Sequence, residues 1–315
     1  MIAKKTNPFK DPLFLTDGGL ETTLIFHQGV TLNHFAAFEL LNNDAGKQAL
    51  RDYYKPYLKM AEMYQIGFIL ETPTWRASPD WGLKLGYSPE QLRALNQESV
   101  NFVKSLARES NSDGNQILIS GNIGPRGDGY RVERCMTPEQ AESYHQDQVR
   151  TFASAHVDLI TALTINYSDE AIGIVRAVRS FSLPAVISFT VETDGKLPNG
   201  ESLKDAIEKT DDHTGGYAEH FMVNCAHPEH FRHVFNVDGT WKQRIKGIRA
   251  NASTKSHAEL DEAETLDEGD KRMLAHGYLQ LRALLPELKV IGGCCGTDHS
   301  HLGEICQLLL KETIA

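Results

Sequence analysis

"TPEQAESYHQDQVRTFASAHVDLITAL", residues 137–163, decides how the rest of the chain is read. Thr137, Pro138 and Glu139 form a helix start, because proline at the first helical position gives up an N–H that has no intrahelical partner anyway. Helical character runs on towards Ala155, and the chain then enters "VDLITAL" (157–163), a short and largely apolar run. Runs of that kind fit strands buried on both faces of a parallel sheet. A helix delivering directly into a buried strand is one unit of an alternating α/β fold.

The same unit recurs along the chain. Strand candidates are "LFLTDG" (13–18), "IGFILET" (66–72), "ILISG" (117–121), "VDLITAL" (157–163), "AVISFT" (185–190), "HFMVNC" (220–225), "GIRANA" (247–252) and "KVIGG" (289–293). Helical stretches precede the second, third, fourth, fifth and eighth of these, and "HSHLGEICQLLLKE" (299–312) follows the last. Two connections differ. "VETDGKLPNGESLKDAIEKT" (191–210) opens as a Gly/Pro/Asn loop before a short helix, and "STKSHAELDEAETLDEGD" (253–270) is an acidic insertion that reads equally as a lid or an interface. Eight units without a repeat or linker predict an α/β fold of the (β/α)8 TIM-barrel type, with parallel strands and one domain over residues 1–315. An open doubly wound sheet is the alternative. It calls for a GxGxxG turn after an early strand, which "DGGLETTL" (17–24) does not match.

Composition narrows the function. Of 315 residues, 41% are hydrophobic and 23% charged, the balance of a globular protein with a sizeable core. The formal charge of −10 has no Lys/Arg cluster to offset it, which argues against nucleic-acid binding. No apolar stretch reaches the ~20 residues of a membrane span, and "MIAKKTNPFKDPLFL" lacks the apolar core of a signal peptide. Five cysteines do not make a secreted disulfide framework, so a cytoplasmic protein with reduced thiols is expected. Nothing in the sequence points to an oligomeric state.

Barrel active sites lie at the C-terminal ends of the strands. Those ends carry Asp17, Glu71 and Thr72, Asn122, Asn224 and Cys225, Asn251, and Cys294 with Cys295. Three of the five cysteines thus reach one rim, from strands six and eight. Three thiolates are a zinc ligand set with a fourth corner left for substrate. For adjacent ligands to meet one ion, the backbone must leave the strand sharply, and Gly292, Gly293 and Gly296 are expected to allow it. Buried free cysteines are also ordinary core residues, and Cys306, beside Ile305 and Leu308, reads that way; Cys135 lacks the rim context too. His227, His230 and His233 of "HPEHFRH" could form a second metal face, but a solvated or locally hydrogen-bonded helix end is favoured.

"VNCAHP" (223–228) followed by "VIGGCCGTDHSH" (290–301) resembles the zinc site of the homocysteine S-methyltransferase family. "LTDGGLETTL", "GFILETPTWRAS", "SGNIGPRGD" and "ISFTVETDGKLPNGESL" resemble further motifs of that family, over nearly the whole chain. The resemblance implies zinc held by Cys225, Cys294 and Cys295, and transfer of a methyl group to a small-molecule thiol. Homocysteine is the first acceptor and methionine biosynthesis the setting. It implies substrate contacts at Asp17 on the amino group and at Gly18 and Thr72 near the carboxylate; Glu71, Asn224 and Asn251, at the same rim, are further substrate-binding candidates.

The chain departs from the family where Leu163 stands in place of a glutamate that grips the amino group. Asp17 with Glu71, or Glu192, would then take over, or the acceptor is a different thiol. Arg76 and Thr164 replace the tyrosines of betaine-using members, which favours a sulfonium donor, S-methylmethionine or S-adenosylmethionine. A non-catalytic zinc- or thiol-binding barrel and, more remotely, a zinc hydrolase are the competing readings.

Overall fold

The computed structural model describes residues 8–11, 13–110, 115–132 and 134–311. The first residues of the N-terminal segment weighed above as a signal lie outside them. Eight parallel strands close a barrel in sequence order. They are β1 (Phe14–Leu15), β2 (Gly67–Glu71), β3 (Ile117–Ile123), β4 (Leu159–Ile165), β5 (Ala185–Thr190), β6 (His220–Asn224), β7 (Ile245–Ala250) and β8 (Val290–Gly293). Each matches a strand expected from sequence. The seam is short: β1 and β8 pair only through Phe14 with Val290 and Leu15 with Ile291.

Helices cover the outside. The decisive helix spans Pro138–Ser154 and starts as its sequence requires. The Thr137 hydroxyl accepts from the Gln140 N–H while the Gln140 side chain accepts from the Thr137 N–H. Between β6 and β7 short helical turns, beginning with Pro228–Phe231, replace a full crossover helix.

Side chains on a strand alternate between faces, and this period sets the barrel interior. A lower layer of Phe14, Ile69, Leu118, Leu159, Val186, Met222 and Val290 forms one apolar cluster, which Phe9 joins. β7 contributes Gly247 there, and a Cβ on it would run into Met222. Two residues further along each strand come Thr16, Glu71, Ser120, Thr161, Ser188, Asn224, Arg249 and Gly292. The interior therefore changes from hydrocarbon to polar and ionic within one step of the pleat, directly below the C-terminal rim. No helix among the described residues is long and apolar enough to cross a membrane.

Candidate metal centre and substrate cavity

Cys225, at the end of β6, and Cys294 and Cys295, just past β8, bring their sulfurs within 4.8 Å of one another. Cys225 turns the backbone into the left-handed region (φ 55°), and so does Thr164 beside it on β4 (φ 62°). Such conformations are costly without glycine and collect at functional sites. Asn224 fixes the neighbourhood. Its Oδ1 accepts from the Thr164 N–H at 2.9 Å and the Ser188 hydroxyl at 2.6 Å. Its Nδ2 donates to Thr164 Oγ1 at 2.8 Å and stands 3.8 Å from Cys294 Sγ.

Only one of the three glycines acts as expected. Gly296 has a positive φ of 78°. Gly292 and Gly293 do not; a Cβ there would meet the Thr16 and Thr297 hydroxyls, so close approach of the β1 segment and of the loop after β8 is what demands glycine.

The donor set suits zinc. Four thiolate-type ligands at ~2.3 Å in a tetrahedron place sulfurs about 3.8 Å apart, and Cys225 Sγ and Cys295 Sγ are 4.0 Å apart. Cys225 and Cys294, however, are joined as a disulfide, contrary to the expectation of reduced thiols. Two sulfurs bonded to each other cannot both act as thiolate ligands, so the disulfide and a metal held by all three cysteines would exclude one another. Cys295 stays free with Tyr130 Oη at 3.8 Å, and burial pushes its thiol up to about 11.

A second feature had no sequence forecast. Arg249 reaches from β7 into the barrel and donates through Nη2 to Asp17 Oδ1 at 2.6 Å and through Nη1 to Glu71. Its Nε donates to the Gly293 carbonyl at 3.0 Å. Tyr53 Oη donates to Asp17 Oδ2 at 3.0 Å. All three ionic side chains are buried. Desolvation lifts Asp17 and Glu71 above the usual carboxylate range, with Arg249 opposing the shift. The Thr72 hydroxyl is engaged too, accepting from the Asn122 N–H at 2.9 Å and pairing with Thr74 Oγ1 at 2.6 Å.

Above these groups lies a cavity of about 380 Å³. The thiol cluster, Leu163, Asn251 and the Arg249 group line its floor and walls, and Phe26 and Phe35 line it from the β1 side. Leu260, Asp261, Leu266 and Asp267 of the acidic insertion also line it, so that segment folds over the site. It is tied down by Ser253 Oγ donating to Asp267 Oδ2 at 2.9 Å and by Lys255 at 3.2 Å from the same oxygen.

The family model of homocysteine S-methyltransferase matches residues 14–309. The chain belongs to this family. A betaine–homocysteine S-methyltransferase 1 of Danio rerio is 21% identical over 289 residues, covering 84% of this chain and 66%, just under two thirds, of that protein's length. The Escherichia coli homocysteine methyltransferase MmuM is similar in its oxidised form (TM-score 0.75, 19% identity, 96% of this chain and 99% of that one). Its metallated form is comparably similar (TM-score 0.73, 19% identity, 95% and 99%).

As a member of the homocysteine S-methyltransferase family, this chain brings three cysteines together beside a group of buried charges. Asp17 and Glu71 are tied to Arg249, and Glu192 does not line the cavity. Asn251 lines it with a buried Oδ1 that has no partner among the described residues. His227 caps the turn at Pro228–Phe231 through Nδ1, which accepts from the Glu229 N–H at 3.2 Å, and His230 bonds the Thr254 carbonyl. Cys306 is buried in the core. Arg76 and Glu21 both line the cavity; neither was forecast as a binding group. Glu21 stands in "DGGLETTL" as a lone acid beyond the glycines, and burial raises it to about 7.

Proposed function

We propose that this protein transfers a methyl group from a sulfonium donor, S-methylmethionine or S-adenosylmethionine, to a thiol, with homocysteine as acceptor and methionine as product. The observation that carries this reading is the meeting of Cys225, Cys294 and Cys295 on the floor of the cavity. Zinc held by the three as thiolates would supply deprotonation of an incoming thiol, which is otherwise mostly protonated at neutral pH.

The chain's own residues would do the rest. Asn224 orients Cys294 and the left-handed turns at Thr164 and Cys225. Leu260 and Leu266 cover the cavity and keep water from competing with the acceptor. Glu21, Asp128, Asp261 and Asp267 outnumber Arg76 on the walls, a field that favours a cationic donor over a neutral one. Arg76 stands where betaine-using members carry a tyrosine, and the loss of that aromatic face for a quaternary ammonium supports a sulfonium over betaine. In the transfer, the new S–CH3 bond forms as the donor's breaks. The donor sulfur keeps the electron pair and becomes a neutral thioether, and the thiol proton goes to solvent. Holding the two sulfurs in line is mainly a matter of proximity and orientation.

The reading places the protein in methionine biosynthesis in the cytoplasm, as one barrel domain acting on small molecules. The absence of histidine from the described metal-competent cluster weighs against a hydrolase. The test is direct. Protein reduced and loaded with zinc is given homocysteine and each sulfonium donor, and methionine is measured. Bound zinc without product from either donor would reject the proposal.

A further inference from the structure

The cavity contains two opposite charges that the protein itself leaves unmatched. Among the described residues Arg76 has no carboxylate within ion-pair distance, and its Nε has no hydrogen-bond partner although the residue is only 6% exposed. Nη1 alone is anchored, to the Gly127 carbonyl at 3.0 Å. The guanidinium is clamped between Trp75 and Trp81, at 3.9 and 3.8 Å from their ring centroids. It is therefore rigid before any ligand arrives. Glu21 faces the same cavity without an ion-pair partner. The two are close enough to influence one another electrostatically but do not form a salt bridge. Leaving such charges partly desolvated and unpaired is unfavourable, and a ligand that carries both complementary charges removes the penalty.

We infer that Glu21 and Arg76 bind the α-amino-acid end of the acceptor thiol, the ammonium at Glu21 and the carboxylate at Arg76. This rests on the acceptor reading above and assigns its specificity. Of the other acids that line the cavity, Asp17 accepts from Arg249 and Tyr53, Glu71 from Arg249, Asp128 from the Tyr130 and Arg131 N–H groups, and Asp267 from Ser253, while Asp261 belongs to the covering segment and not to the barrel. Leu163 offers no charge. Placement agrees as well. Glu21, Arg76 and the three cysteines line one cavity, and Tyr130, whose Oη lies 3.8 Å from Cys295 Sγ, lines it with them. A thiol whose sulfur lies beside Cys295 thus has both charges at hand.

The test is calorimetric binding to the reduced, zinc-loaded protein, using homocysteine, 4-mercaptobutyrate (no ammonium) and 3-mercaptopropylamine (no carboxylate). Glu21→Gln is expected to weaken homocysteine about ten- to a hundredfold and leave 4-mercaptobutyrate within about twofold. Arg76→Gln is expected to weaken homocysteine and 4-mercaptobutyrate and leave 3-mercaptopropylamine unchanged. Should Arg76→Gln not fold, Arg76→Lys carries the same test with a smaller loss. Equal losses for all three thiols, no loss, or a loss confined to the sulfonium donor would each overturn the assignment. Homocysteine binding with the expected pattern but without methyl transfer would reject the enzymatic reading and leave the assignment standing. Methyl transfer to homocysteine indifferent to both substitutions would do the reverse.

Discussion

Arg249 Nη2 stands 2.6 Å from Asp17 Oδ1, which follows β1, two strands round the barrel from the β7 that bears the arginine. The same guanidinium holds Glu71, so one cation serves two buried acids. Arg249→Met leaves both without a counter-charge, and breaking such a buried group by removing one partner costs about 3–5 kcal/mol. Urea unfolding at pH 8 should show that loss. At pH 5, where the freed carboxyls take up protons, the loss should shrink. Equal stability of variant and parent at pH 8 would refute the role given to Arg249.

Asn224 offers a second handle, because it touches both the Thr164 turn and Cys294. Asn224→Ala should lower zinc affinity about 10- to 100-fold, as loss of a ligand-orienting group does. Competition with a chromogenic chelator measures it. Cys295→Ser should lose more, and undiminished zinc binding by Cys295→Ser would remove that thiol from the ligand set.

Glu21 links the cavity to pH. Burial raises its carboxyl from 4.5 to about 7, so the folded chain holds this proton more tightly than the unfolded one. Its contribution is favourable below pH 4.5 and is lost as pH rises to 7. Glu21→Gln removes that loss. The ligand-free variant should be more stable than the parent by about 1–2 kcal/mol at pH 8 and equal to it near pH 4. Melting curves at the two pH values decide the matter.

Asp267 tests the cover of the cavity. It accepts from Ser253 and pairs with Lys255, and it lines the cavity itself. Asp267→Ala should speed amide exchange across residues 253–270 several-fold while leaving the barrel strands protected. Unchanged exchange there would mean that other contacts hold the segment.

The strands were legible because each is buried on both faces, and near-continuous apolar runs are what such strands look like in sequence. The cysteine cluster was legible because three thiols at strand ends are rare and a barrel brings those ends together. Other features depend on contacts between distant segments. Gly292 and Gly293 read as torsional freedom, whereas they make room for Thr16 and Gly18 of the distant β1 segment, as well as for the nearby Thr297 hydroxyl. The sharp backbone turn instead occurs at Cys225, which carries no glycine to announce it. Arg249 hid in "GIRANA" as an ordinary strand residue. Its signal was a charge two positions past Gly247, on the inward face, and it meant something only once Glu71 and Asp17 were known to lie opposite.

The short seam between β1 and β8 bears on how the protein is made. Cys225 leaves the ribosome 69 residues before Cys294, and β8 must also find the two-residue β1 synthesised at the start. At about 5–20 residues per second, the first thiol waits several seconds for its companions, exposed to whatever metal or oxidant the surroundings hold. The cluster thus reports on completed synthesis: a nascent chain stopped before β8 has neither a closed barrel nor the second and third sulfurs of the group.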